Sequence, residues 1–170
     1  MPSPELLAFE VLGGATRTRL GVAEDLQDVN AMHTLCSLES RAARYLAGVP
    51  RLTHAMWAHL VDPARGNTWV TLQHGKILAV THLMRTAGPG GQPDPALREL
   101  AILVRDDVQG HGLGTQLARC AVDAAKDSGA QAVTLTLAST NRRMAAIARG
   151  LGAKPWTVTG PVSEVTIPCA

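Results

Sequence analysis

The sequence predicts one domain of the α/β class, in which helices and strands are mixed along the chain. Its 170 residues fit a single domain, and 46% hydrophobic against 18% charged residues supply a sizeable core. The hydrophobic period switches between helical and strand spacing in the order β-ααα-βββ-α-β-α-ββ, which puts an antiparallel meander in the middle of the chain. Residues 1–15 contain Pro and Gly and are weakly patterned, so they are expected to form an extension or a loose extra strand, and 16–170 to form the domain.

The first half is predicted to hold one strand and three short helices. Glu24 supplies an acid at a helix start, and Leu26, Val29 and His33 then recur at helical spacing. Pro50 separates the next two helices, because proline disfavours a helical residue before it. The predicted elements are a strand at 16–22, a helix from Glu24 onward, and helices at 40–47 and 53–60.

The second half changes period after Asp62. A tight turn at His74 joins two strands, and three Gly and three Pro within 87–95 indicate an exposed loop. The run 97–104 is apolar except for two charges, which favours a central strand buried on both faces. The predicted strands are 68–73, 76–85, 97–104, 133–137, 154–158 and 162–167, and the predicted helices are 112–127 and 141–151.

Composition excludes several classes of function. The net charge of +2 is too balanced to indicate nucleic-acid binding. No apolar run approaches the roughly 20 residues that a membrane span needs, and the start does not resemble a secretory signal. Three widely spaced cysteines, Cys36, Cys120 and Cys169, fit reduced thiols in a cytoplasmic protein and lack zinc spacing, so no metal is expected.

The most informative segment is a glycine-rich turn between the central strand and a helix. Glycines let the backbone approach a ligand closely, and the helix start offers unpaired N–H groups, so the turn predicts a phosphate or pyrophosphate site. The Walker pattern is absent, and Thr115 stands where a dinucleotide fingerprint needs its third glycine. A tight connection with glycines for packing is the alternative. The candidate anion-binding residues are Gln109, Gly110, His111, Gly112, Leu113, Gly114 and Thr115.

The turn reads Q-G-H-G-L-G, and this Q-x-x-G-x-G pattern resembles the acyl-CoA motif of the GCN5-related N-acetyltransferase (GNAT) superfamily. Residues 141–153, N-R-R-M-A-A-I-A-R-G-L-G-A, resemble the second CoA motif of that family. The run from Glu99 through the glycine turn is similar to bacterial protein-lysine acetyltransferase domains. The stretch S-L-E-S at 37–40, followed by Arg44 and Tyr45, is also similar to the front of those domains.

The resemblance implies a GNAT-like α/β fold with a mixed central sheet and helices on both faces. In it, the parallel strands 97–104 and 131–138 splay apart around the pantetheine arm of acetyl-CoA. Unpaired backbone groups of parting strands can bond such an arm as if it were a strand. The backbone of Ile102, Leu103 and Val104 would hold pantetheine, and the glycine turn would hold pyrophosphate. Asn141 would contact the arm, although a helix N-cap explains this residue equally well. Nearby basic residues that could neutralise phosphates are Arg105, His111, Arg119, Arg142 and Arg143.

The chemistry of transfer to an amine requires a base. A lysine-like amine has a pKa of about 10.4, so only about 1 in 2,500 is neutral at pH 7. The resemblance makes Glu99 the general base, and a backbone N–H of Ile102 or Leu103 would bind the oxyanion. Many family members protonate the leaving thiolate with a Tyr, and Ala148 stands at that position here. Tyr45, Ser139, Thr140 or water would then serve, or the thiolate leaves unprotonated.

The sequence therefore predicts an N-acyltransferase that moves an acetyl or other short acyl group from acyl-CoA to a primary amine. The resemblance favours a protein lysine as the acceptor. Two alternatives stay open: a small-molecule acyltransferase whose donor is the phosphopantetheine of an acyl carrier protein, and a non-catalytic acyl-CoA-binding module. Nucleic-acid and membrane partners are not expected, and a homodimer is left open.

Overall fold

A computed structural model describes residues 5–6, 9–46, 49, 51–87 and 91–169. Within these residues the chain alternates strands and helices as the sequence predicts, with five α-helices and nine strands. The strands are β1 (Glu5–Leu6), β2 (Glu10–Val11), β3 (Gly14–Ala15), β4 (Arg17–Leu20), β5 (Gly66–Gln73), β6 (Lys76–Ala87), β7 (Pro93–Val104), β8 (Ala132–Ala138) and β9 (Val162–Pro168). The helices are α1 (Leu26–Thr34), α2 (Leu38–Tyr45), α3 (His54–Val61), α4 (Leu113–Asp127) and α5 (Arg142–Gly150).

The central sheet is mixed, as predicted. Seven strands follow the order β1-β4-β5-β6-β7-β8-β9, and β2 and β3 form a separate hairpin. Every neighbouring pair in the large sheet is antiparallel except β7 and β8, which are parallel. A parallel pair needs a crossover connection, and α4 supplies it.

Helices pack on both faces of the sheet because side chains alternate along each strand. On one face, Val29 of α1 and Trp57 of α3 pack with Val80 of β6. On the other face, the alanines of α4, with Ala148 of α5, pack against β8 and Leu100 of β7. The small side chains let α4 lie close to the sheet, which is how a chain with few aromatic residues fills its core.

The parallel strands diverge after a short contact. Their register is limited to Leu97–Glu99 against Ala132–Thr134. Beyond this contact β7 continues for five residues to Val104, which leaves roughly 16 Å of strand edge without a β8 partner. The other edges stay paired, β7 with β6 and β8 with β9. The predicted splay is therefore confirmed, and it opens a gap inside the sheet.

Three local predictions are wrong. Residues 154–158 are irregular rather than a strand, because Pro155 lacks an N–H and only the amide of Lys154 reaches β9 (2.9 Å to the carbonyl of Thr166). The loop 87–95 is shorter than expected, since β6 extends to Ala87 and β7 begins at Pro93; its middle, 88–90, lies outside the described residues. The central strand is less buried than expected: Leu100 and Leu103 are buried on opposite faces, but Ile102 and Val104, which border a cavity, are only half-buried.

The first 15 residues pair with the domain where they are described. β1 lies antiparallel to β4 at the edge of the sheet. In the β2–β3 hairpin, Val11 is fully buried in a cluster with Leu78 and Leu117. The division at residue 15 remains a prediction.

Candidate functional site

The free end of β7, beyond its pairing with β8, borders a cavity of about 400 Å³, called here the fork cleft. Its walls come from the end of β7, the glycine turn, α5 and one side of α2. The predicted donor-binding residues that line it are Ile102, Leu103, Val104, Gln109, Gly110, Gly112, Gly114, Thr115 and Asn141. The fold therefore brings most of the predicted set into one place.

Two glycines of the turn have left-handed backbone conformations. Gly110 has φ +79° and Gly112 has φ +86°, and a Cβ at either position would meet no atom within 4 Å. These glycines are required for the path of the backbone and not for packing within the protein. Gly114 differs, because its Cβ would touch Ile147 of α5 at 3.4 Å. The packing reading of the glycines therefore applies to Gly114.

The N-terminus of α4 faces the cleft without a side-chain cap. Gly112 is the N-cap and has no side chain that could accept from the first-turn amides. These N–H groups carry the positive end of the helix dipole, which suits an anion. Leu113, a predicted donor-binding residue, has its side chain in the core beneath the turn and outside the cleft lining, so only its backbone amide belongs to this surface.

The side chain of Gln109 joins three walls of the cleft. Its Nε2 donates to the carbonyl of Val104 at 2.9 Å and to the hydroxyl of Ser40 at 3.1 Å. Its Oε1 accepts from Arg143 of α5. Gln109 thus fixes the glycine turn relative to β7, α2 and α5, a structural contribution beyond the donor contact that the sequence predicts.

Of the basic residues predicted near the phosphates, Arg143 lines the cleft. Arg105 is paired with Asp107 at 2.6 Å, and this guanidinium lowers the pKa of the Asp107 carboxyl. Arg142 lines a separate cavity beside β9. His111 is exposed outside the cleft lining, and its Nδ1 lies 2.9 Å from the carbonyl oxygen of Gln109, to which it donates.

Asn141 is both a helix cap and a cleft residue. Its Oδ1 accepts from the amide of Met144 at 3.2 Å and so caps α5. The capping interpretation is therefore confirmed, and the same side chain borders the cleft. Ala148, where many family members have Tyr, is fully buried in the core, so no hydroxyl reaches the cleft from that position.

A second cavity of about 490 Å³, called here the lateral cavity, lies on the face of the sheet that carries α3. Glu99 and His82 line it, and Glu99 is exposed. Glu99 is also the last β7 residue paired with β8, so it stands where the strands part. Its Cα lies about 10 Å along the strand from that of Ile102, where the fork cleft begins.

Arg44 of α2 is shared by the two cavities. Its guanidinium carbon lies 4.6 Å from the centre of the Tyr45 ring. Its Nε is shielded from solvent and has no hydrogen-bond partner in the described part of the chain. Burial lowers the pKa of Arg44, while Tyr45 and the charge of Glu99 act in the opposite direction.

Tyr45 lies against the guanidinium of Arg44. Its hydroxyl is 2.9 Å from Nε2 of the fully buried His33, and burial raises the pKa of Tyr45 to about 12. The tyrosine lines neither cavity. In the stretch at 37–40, Ser37 caps α2 by accepting from the amide of Ser40, and the side chain of Ser40 borders the fork cleft.

His82 is a site residue that the sequence analysis missed. The hydroxyl of Thr68 donates to the carbonyl of Leu60, so it must accept from Nδ1 of His82, 2.8 Å away. Nε2 of His82 is then a free acceptor, buried and without a partner among the described residues. Burial and the charge of Arg44 hold the pKa of His82 well below its usual value. A lone histidine within the apolar strand β6 was the available signal.

Comparisons with known proteins agree with this geometry. The sequence model of the acetyltransferase (GNAT) family matches residues 29–153. The GNAT domain of S. lividans PAT superposes with a TM-score of 0.83 at 22% identity, over 96% of this chain and 95% of that one. The yncA protein of Salmonella typhimurium, solved with acetyl-CoA, gives 0.69 at 13% identity, over 91% and 94% of the chains. The loading GNATL domain of CurA from Lyngbya majuscula gives 0.70 at 15%, over 91% and 98%.

These sequence identities are low, so the superpositions show only that the fold is shared. In the parts of the chain that the structure describes, no helix is long and apolar enough to cross a membrane.

Proposed function

The chain belongs to the GNAT acetyltransferase family, whose co-substrate is acetyl-CoA, and from this premise we propose that it transfers an acetyl or other short acyl group to a primary amine. The main support for this proposal is that the pairing of β7 with β8 ends at Glu99. The unpaired edge of β7 beyond Glu99 then leads to the glycine turn. An extended donor with amides at one end and a diphosphate at the other matches this surface.

The donor lies along the fork cleft in this proposal. Its pantetheine amides bond the free N–H and C=O groups of Ile102 to Val104 as an added strand would. The diphosphate meets the amides at Gly112 and the start of α4, where the backbone leaves room and the helix dipole favours negative charge. Arg143 supplies a cation on the opposite wall.

The acceptor approaches through the lateral cavity. Its nitrogen attacks the carbonyl carbon of the thioester, while Glu99 takes a proton from that nitrogen directly or through one water. Keeping the amine neutral at pH 7 costs about 5 kcal/mol for a lysine-like pKa, so a base at this place has a large effect. A backbone N–H of Ile102 or Leu103 stabilises the oxyanion, and the carbon–sulfur bond then breaks.

The thiolate can leave without a side-chain acid, because a thiol pKa of about 8.5 makes it a tolerable leaving group. Tyr45 is the other candidate acid, but burial raises its pKa to about 12, which makes it a weaker acid than an ordinary phenol. Its hydroxyl is bonded to His33, so donation to the thiolate would need an intervening water.

Glu99→Gln tests the proposal. This variant should lower kcat by about 100-fold or more and leave CoA affinity within about twofold in calorimetry, because Glu99 lies outside the fork cleft lining. Glu164→Gln is the matched control, since Glu164 is exposed on β9 and lines neither cavity. Unchanged kcat in Glu99→Gln from pH 6 to 9 would remove Glu99 from the mechanism.

A second candidate donor is a phosphopantetheine arm attached to an acyl carrier protein. The likeness to the loading GNATL domain of CurA favours keeping it, and the free edge of β7 would hold pantetheine in either donor. Competition separates them, because only free CoA brings the nucleotide that the glycine turn and Arg143 would bind. Tight CoA binding without transfer to any amine would instead favour a non-catalytic acyl-CoA-binding module.

The acceptor itself is proposed from resemblance as a protein lysine. Mass spectrometry of a lysate incubated with the enzyme and labelled acetyl-CoA would find acetylated lysines if this is correct. Label confined to small amines would assign the enzyme to small-molecule acylation.

A further inference from the structure

We infer that the lateral cavity selects an amine with a carboxylate close to the reacting nitrogen, and that Arg44 is the residue that binds this carboxylate. The inference rests on the proposed function, because it takes the lateral cavity as the acceptor side. The carboxylate can belong to a free amino acid or to an acidic residue beside the acceptor amine in a peptide.

The first argument is the state of Arg44. None of the ion pairs among the described residues includes it, and its shielded Nε has no acceptor there. Withdrawing a guanidinium from water is costly unless an anion and hydrogen-bond acceptors replace the water. The ring of Tyr45 offers one face to this cation but no acceptor for its N–H groups. A carboxylate from a ligand would complete the fork of donors that arginine presents.

The second argument is the charge of the cavity. Its lining includes the arginines Arg44, Arg65 and Arg85 and one carboxylate, Glu99. Arg65 is partly balanced by Asp62 at 3.5 Å outside the lining. An acceptor that carries only an amine would add a further positive charge to this set. A zwitterionic acceptor balances the cavity, with its amine at Glu99 and its carboxylate at Arg44.

The third argument is the arrangement of acceptors and donors in the cavity. Glu99 and the unpartnered Nε2 of His82 can accept hydrogen bonds, whereas Arg44 only donates. A primary amine suits the first pair and repels the guanidinium. Because one cavity of about 490 Å³ is lined by all three residues, the amine and the carboxylate must lie close together in space.

Arg44 also borders the fork cleft. Its anion could therefore come from the donor, as the terminal carboxylate of a dicarboxylic acyl group. The experiment separates the two, because one source changes acceptor selectivity and the other changes donor selectivity.

The test measures kcat/KM with acetyl-CoA for matched acceptors. One pair is an ω-amino acid and its carboxamide, and the other is a blocked peptide Glu-Lys-Glu and its Gln-Lys-Gln analogue. The carboxylate member should be favoured by about tenfold or more in at least one pair, which is the scale of a hydrogen bond to a charged group. The pair that shows the preference identifies the source of the carboxylate.

Arg44→Gln should reduce this preference to about twofold or less, and Arg44→Lys should retain part of it because the charge remains. Arg51→Gln is the control, since Arg51 is exposed and lines neither cavity; it should keep the full preference. If Arg44→Gln fails to fold, Arg65→Glu at the exposed edge of the cavity should weaken the same preference.

Each other result overturns the inference. Equal kcat/KM within both wild-type pairs, with acetyl transfer intact, removes the carboxylate and leaves the proposed function standing. An unchanged preference in folded Arg44→Gln removes Arg44 as its source. A preference for succinyl-CoA over butyryl-CoA that disappears in Arg44→Gln assigns the residue to the donor. Absence of transfer to every amine, with CoA binding intact, overturns the proposed function and this inference together.

Discussion

Gly112→Val is expected to weaken CoA binding by more than its effect on stability explains. Gly112 has φ +86°, which a side chain tolerates poorly, so the variant should lose about 1–2 kcal/mol of folding stability. For a domain of this size that loss lowers Tm by about 2–8 °C. The substituted Cβ meets no protein atom within 4 Å, so its γ-carbons extend into the space that the proposal gives to the diphosphate. Losing one charge-assisted hydrogen bond there should weaken CoA binding about 10- to 100-fold.

Gly152→Val separates backbone strain from crowding. Gly152 has φ +85°, also has open space around a Cβ, and lies after α5 outside the cleft lining. It should show a similar fall in Tm and unchanged CoA affinity. Calorimetry on both variants, with CoA and with pantetheine lacking the nucleotide, measures the difference. Equal CoA affinity in Gly112→Val and wild type would refute the diphosphate assignment, as would an equal loss of affinity for pantetheine.

Two further predictions concern the hydrogen-bonded pair His33 and Tyr45. Burial, with help from Arg41 and Arg44, lowers the pKa of His33 to about 4 from its ordinary 6.5, so the unfolded chain binds more protons between these values and stability falls as the pH drops through that window. Between pH 7 and 4.5 this group should lower the free energy of unfolding by about 2–3 kcal/mol. In urea denaturation, His33→Gln should therefore lose less stability over this pH range than the wild type. An equal loss of stability in both proteins would contradict the pKa shift. Tyr45→Phe should lower kcat by less than about tenfold, because the thiolate leaves unaided, and a 100-fold loss in steady-state assays would make the hydroxyl the acid.

The part of the site that is formed by backbone groups could be predicted from the sequence. The glycines at 110 and 112 signal a conformation that few other residues adopt, and they follow an apolar strand whose length fixes their distance from Glu99. The order of these residues along the chain therefore predicted both the anion site and the parting of the strands. The segment 154–158 forms no strand because Pro155 has no N–H with which to pair.

The grouping of Arg44, His82 and Glu99 around the lateral cavity could not be predicted from the sequence. His82 and Arg44 are distant in the sequence. The packing of α2 on β7 brings Arg44 to the cavity that Glu99 lines, and the pairing of β6 with β7 brings His82 there. The tautomer of His82 depends in turn on Thr68, a contact between neighbouring strands. Helix and strand periodicity describe which face a residue occupies, but not which buried groups lack a partner.

The short register between β7 and β8 divides the sheet. Only three residue pairs join β7 to β8 across this line, and α4, which contacts both strands, is a second link between the two halves of the sheet. In the proposed function, a bound pantetheine chain would pair with the free edge of β7 beside this line as an added strand. The substrate would then act as a structural member of the enzyme, and product release would free this edge again at every turnover.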